Sequence, residues 1–206
     1  MNFLEYLGKI VFSYFHPFRL MDEVYQLCIT GFRKRKLLYN TILIYLLGLS
    51  ALLISRSFLG RIIVGGIPSL LLLLFIYFLC NIAYIFIAFS ILHFFKMKVE
   101  FDELTILYFL GDFIYIILLP LTIFFYFILR SQVNYVLNFL LPIFSILNLL
   151  LKVKAFVVLT KQTKETGFLF FIIPFLFLFL LVFSMLLYIF TSLFSYIAWG
   201  LWWIPR

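Results

Sequence analysis

Charge is scarce in this chain, and acidic charge is scarcest. Of its 206 residues only 12% are charged, with eight Asp and Glu against sixteen Lys and Arg. A water-soluble domain is about a quarter charged, so there is too little polar surface here to coat a soluble fold. Cysteine is nearly absent too. Cys28 and Cys80 are not in a CxxC pattern, so neither a disulfide scaffold nor a thiol metal site is expected. No GxxxxGK[ST], HExxH or GxSxG motif occurs. The acidic residues Glu100, Asp102, Glu103 and Glu165 are scattered, with no cluster for Mg²⁺. An enzyme is therefore the disfavoured class, and no cofactor and no metal are expected.

What fills the chain instead is apolar. Hydrophobic residues make up 67%, Phe alone numbers 30, and mean hydropathy is +1.22. These totals predict an all-α, polytopic transmembrane bundle. A spanning helix needs about 20 apolar residues, and five runs qualify: 38–59, 66–93, 104–129, 133–159 and 167–198. The loops between them are short, so residues 37–206 read as one five-helix transmembrane domain. Residues 1–36 read as a separate amphipathic and basic segment. The run Phe3 to Phe15 is interrupted by Glu5 and Lys9 and no small-residue cleavage site follows, so the mature chain is expected to begin near Met1.

The net charge of +8 marks orientation rather than nucleic acid. Lys9, Arg19, Arg33, Lys34, Arg35, Lys36, Lys96, Lys98, Lys152, Lys154, Lys161 and Lys164 fall on one side of the five spans. Arg56, Arg61, Arg130 and Arg206 fall on the other. The positive-inside rule then places the N-terminus in the cytoplasm and the C-terminus outside. Trp199, Trp202 and Trp203 suit an outer aromatic belt. The expected setting is a multi-pass protein of a bacterial inner membrane.

From Pro17 onward, Met21, Val24 and Cys28 form one apolar stripe, flanked by Leu20 and Leu27. Arg19, Asp22, Glu23 and Gln26 lie mainly opposite. This is an amphipathic helix that either lies on the membrane surface or packs on the loops. Laid on lipid, residues 17–30 would act as a wedge. The cluster Arg33, Lys34, Arg35 and Lys36 is expected at anionic lipid headgroups. The implied partners are the bilayer, anionic lipids and a membrane-protein partner, with no nucleic acid.

Each span carries one polar stripe. The first has Thr41, Tyr45, Gly48 and Ser55, and the second Tyr77, Asn81, Tyr84 and Ala88. The third has Thr105, Tyr108, Asp112, Tyr115, Thr122 and Tyr126. The fourth has Asn134, Asn138, Ser145, Asn148 and Lys152, and the fifth Ser184, Tyr188, Thr191 and Ser195. Polar faces of this kind are expected to pack on one another. Asp112 is the one acid well inside an apolar run, and an intramembrane carboxylate is a functional candidate by default. Asn81, Asn148 and Lys152 are its expected partners, with Tyr115 on the same face. Pro120, Pro142 and Pro174 are expected to kink the third, fourth and fifth spans.

The layout resembles the Yip1 domain family in its bacterial form. The resemblance rests on three stretches. One is Tyr14-Phe15-His16-Pro17-Phe18-Arg19-Leu20-Met21 before a basic run. Another is Gly111-Asp112-Phe113-Ile114-Tyr115 leading to Pro120. The last is Leu147 to Lys154 running on to Thr166-Gly167. It implies a cytoplasmic N-terminal segment, five closely spaced spans and a non-enzymatic protein that shapes membranes, scaffolds or binds a partner. The rival reading is a small transporter or permease subunit built around Asn81, Asp112 and Asn148.

Overall fold

In the computed structural model five helices are long and apolar enough to cross a bilayer, and they follow the five apolar runs. The structure describes residues 3–30, 34–57, 66–129 and 133–202, without the side chains of residues 3, 11, 57, 66, 67, 133, 134 and 195–202. Arg33, Arg61, Arg130, Trp203 and Arg206 lie outside the described residues, as do the side chains of Asn134, Ser195, Trp199 and Trp202. Every described element is helical: α1 (Phe3–Phe12), α2 (Pro17–Ile29), α3 (Lys34–Ser57), α4 (Gly66–Phe94), α5 (Phe101–Leu110), α6 (Leu118–Leu129), α7 (Val133–Thr160) and α8 (Lys164–Trp202).

The third span is not one helix. Residues Gly111–Ile117 tighten into a 3₁₀ segment between α5 and α6. Pro120 stands in the first turn of α6. It has no N–H for the Ile116 carbonyl and its ring crowds that oxygen, so the α-helix restarts rather than continues. The irregularity thus precedes Pro120 instead of centring on it. Pro142 and Pro174 sit inside unbroken helices.

Every residue from Leu104 to Tyr115 is buried. A helix that is apolar on all sides must be surrounded, and α5 is. It touches α2, α3, α4 and α7, while α8 packs on α4 and α7 and α2 packs on α7 and α3. The ring α3–α4–α8–α7–α2 encloses α5. Its last member is the helix that the sequence left on the membrane surface or on the loops.

Three contacts fix the depth of this N-terminal pair. The Tyr6 hydroxyl lies 3.1 Å from Thr41 Oγ1. The Tyr14 hydroxyl donates to the Phe113 carbonyl at 2.7 Å, its ring 5.2 Å from that of Phe113. Lys154 Nζ of α7 lies 2.9 Å from Asp22 Oδ1. Phe113 lies beyond the full length of α5, a helix about 15 Å long at 1.5 Å per residue. The turn Ser13–Phe15 therefore reaches the level of Asp112, and α2 returns alongside the spans. The stripe Leu20, Met21, Val24 and Cys28, joined by Tyr25, is buried against them. The surface-lying alternative is corrected: this face covers protein and is not offered to lipid. Phe12, Phe15 and Phe18 at the turn are exposed instead. On the outer face Arg19 pairs with Glu23 one turn on, at 3.0 Å.

At the same end of the bundle Glu100 and Glu103 form a capping box that starts α5. Lys34 reaches both carboxylates, at 2.6 and 3.0 Å. It was expected at lipid headgroups, and in the structure its ammonium is paired with these two carboxylates. Arg35 and Lys36 are exposed. The polar stripe of the fifth span is a further correction. Ser184, Tyr188 and Thr191 are exposed, and α8 stands clear of its neighbours throughout residues 181–194. The Ser184 and Thr191 hydroxyls donate back to the Leu181 and Leu187 carbonyls, so they need no facing helix. Tyr77, Tyr126 and Asn138 likewise lie at exposed positions rather than in the packed core.

Candidate functional site

The polar residues that do turn inward meet around Asp112. Tyr108 and Asp112 stand one turn apart along the third span, and Asn148 and Lys152 one turn apart on α7. Each pair presents two side chains on one face. Asn148 Nδ2 donates to Asp112 Oδ1 at 2.6 Å, and Lys152 Nζ lies 3.0 Å from Asp112 Oδ2. The same ammonium sits 4.2 Å from the centre of the Tyr108 ring. The Tyr108 hydroxyl donates to Asn81 Oδ1 at 3.0 Å. Asn81 Nδ2 donates to the Tyr45 hydroxyl at 3.1 Å, and the Tyr45 ring stacks on Phe109 at 4.3 Å.

One continuous polar chain thus links α7, the third span, α4 and α3. Asn148 and Lys152 hold Asp112 directly, while Asn81 joins through Tyr108. Tyr115 is buried on the same segment but makes no hydrogen bond to the other four. The carboxylate and ammonium are both nearly closed off, at 9% and 12% side-chain exposure. A buried ion pair holds only when its partners also hydrogen-bond. Asn148 supplies such a hydrogen bond to the carboxylate, and the Tyr108 ring face adds a cation–π contact to the ammonium. Asp112 Oδ2 accepts no directed hydrogen bond and relies on the Lys152 charge.

Two glycines make room for this geometry. A Cβ on Gly48 of α3 would collide with the Asp112 backbone carbonyl, and one on Gly111 would meet Lys152 Cγ at 3.0 Å. Tyr14 closes the group from the N-terminal side through Phe113. The sequence carried Tyr45, Gly48 and Tyr108 in its polar stripes without singling them out. It contained no signal that Tyr14 would reach this level.

Cys28 is buried in the last turn of α2. Burial, with the Glu103 carboxylate nearby, pushes its thiol up to about 12. At neutral pH it is a packing residue, not a nucleophile. No family model, no curated protein and no solved structure matches this chain.

Proposed function

We propose that this chain is a non-enzymatic, multi-pass membrane protein of the Yip1 type that shapes the bilayer holding it. One observation carries the reading: α1 and α2 thicken one half of the bundle only, down to the level of Phe113. A protein wider in one leaflet than in the other imposes curvature. Phe12, Phe15 and Phe18 at the turn are the groups set against lipid. The pairs Arg19–Glu23 and Asp22–Lys154 reduce the cost of immersing the outer face.

The Asp112 group serves this role as a brace. Its charges answer one another, which suits a rigid wedge better than a ligand site. The count of basic residues supports placing the wide half in the cytoplasmic leaflet, and the resemblance points to a bacterial inner membrane. The transporter reading draws on one observation, a buried carboxylate within a 3₁₀ break in a spanning helix.

Reconstitution tests the wedge. With rising protein-to-lipid ratio, the full chain is expected to shrink or tubulate phosphatidylethanolamine–phosphatidylglycerol vesicles in cryo-electron micrographs. A chain lacking residues 1–29, checked as monodisperse and cooperatively melting, is expected to leave them spherical and at their starting diameter. Equal vesicle shapes for the two chains would remove the wedge mechanism.

A further inference from the structure

A cavity of about 670 Å³ opens between α2, α7 and α8 near the α7–α8 connection. That is within the range of sites that hold small ligands, about 300–1,000 Å³. Its walls are apolar: Phe18 from α2, Leu150, Val153 and Val157 from α7, and Phe168 from α8. Phe18, Leu150 and Phe168 are each about two-fifths exposed (41%, 46% and 43%). The groove is therefore continuous with the lipid-facing surface.

The charged lining residues are Lys154, Lys164 and Glu165. Their positions give the groove a direction. Along α7, Leu150 is the deepest lining residue and Val157 the nearest to the end of the helix. α8 begins at Lys164, so Lys164 and Glu165 stand at the mouth, with Phe168 one turn inside. Lys164 and Glu165 at the mouth, Lys154 just below Val157 and apolar groups beyond it follow the long axis of a lipid in the leaflet. Lys154 already shares Asp22, whose side chain is half exposed. Lys164 forms no ion pair among the described residues. With Asp22 paired to Lys154 and Glu165 beside Lys164, the local charge is balanced. A free polyanion gains little there. A molecule with one phosphate charge and long apolar chains uses both ends of the groove.

We propose that this groove binds a glycerophospholipid of the surrounding leaflet, its phosphate at Lys164 and Lys154 and an acyl chain along Val157, Val153 and Leu150. This is independent of the wedge mechanism, since a bound lipid requires no curvature.

The test is the thermal midpoint of the purified full chain in mild detergent with three additives of matched structure. Dioleoyl phosphatidylglycerol carries both ends, dioleoylglycerol lacks the phosphate, and glycerol phosphate lacks the chains. Only phosphatidylglycerol is expected to raise the midpoint. The paired substitution Lys154→Gln and Lys164→Gln is expected to abolish the rise. Val157→Trp and Leu150→Trp, two separate ways of filling the groove, should do the same. Lys98→Gln, exposed and outside the groove, should keep it. If dioleoylglycerol matches phosphatidylglycerol, the groove only dissolves chains. If glycerol phosphate matches it, the site is an anion site. A rise that survives in the lysine pair, or in whichever tryptophan variants fold, places the lipid elsewhere. Each of these three results overturns the proposal.

Discussion

Asp112→Leu is expected to lower the thermal midpoint by on the order of 10 °C. The substitution removes the one carboxylate paired with Lys152 among the described residues and strands an ammonium inside the bundle. Losing one partner of a buried pair costs about 3–5 kcal/mol. In a chain of this size about 1 kcal/mol moves the midpoint by roughly 2–4 °C. Asp112→Asn keeps a polar partner for Asn148 but also leaves Lys152 uncompensated, so it should fall between Leu and the parent. The informative variant is the double substitution Asp112→Leu with Lys152→Met. It removes both charges together and is expected to recover most of the loss. The measurement is a melt of all four proteins in one detergent. A single variant that melts with the parent would remove the brace from the account. A double variant no better than the single would show that the cost lies in packing, not charge.

Gly48→Ala is the second large effect. Its new methyl group would press on the Asp112 carbonyl. That neighbour is backbone of a buried 3₁₀ segment, not the tip of a side chain that could swing away. Overpacking typically costs about 1–3 kcal/mol. Here α3 must also retreat from the third span, loosening the Tyr45–Phe109 stack and the Tyr45–Asn81 hydrogen bond. A fall of several degrees in the midpoint follows. Gly8 provides the matched control, because a Cβ there meets nothing within 4 Å. Gly8→Ala in α1 gains helix propensity, by up to about 1 kcal/mol, and is expected to melt at or slightly above the parent. If the two alanines behave alike, the close approach of α3 to Asp112 is not a constraint.

The parts legible in the sequence are those set by local pattern. The five spans follow from apolar run length. The pairing of Asp112 with Asn148 and Lys152 follows from one-turn spacing and the cost of an unpaired carboxylate in lipid. Other parts depended on what packs against a face, and periodicity does not carry that information. The stripe Leu20, Met21, Val24 and Cys28 signals that something apolar covers it, but a bilayer and α7 satisfy it equally. Lys34 reads as part of a basic cluster until α5 brings Glu100 and Glu103 beside it. Ser184 and Thr191 share a helical face, yet their hydroxyls bond their own backbone, so the face predicts no neighbour. Pro120 announced an irregular third span. Which residues would tighten was settled by the packing of Gly48 and Tyr14 against Asp112 and Phe113.

The central claim is that the N-terminal hairpin enters the bilayer beside the spans rather than resting on its surface. Phe15 at the turn is the position to probe, since its side chain is 86% exposed one residue from Tyr14, which is anchored on the Phe113 carbonyl. A spin label at Phe15→Cys, with Cys28 and Cys80 replaced by alanine and the protein in vesicles, reports depth by its collisions with oxygen and with a water-soluble nickel chelate. The account predicts frequent oxygen collisions and little nickel contact, as for a label in hydrocarbon. Strong nickel contact with weak oxygen contact would place the turn in water and contradict it.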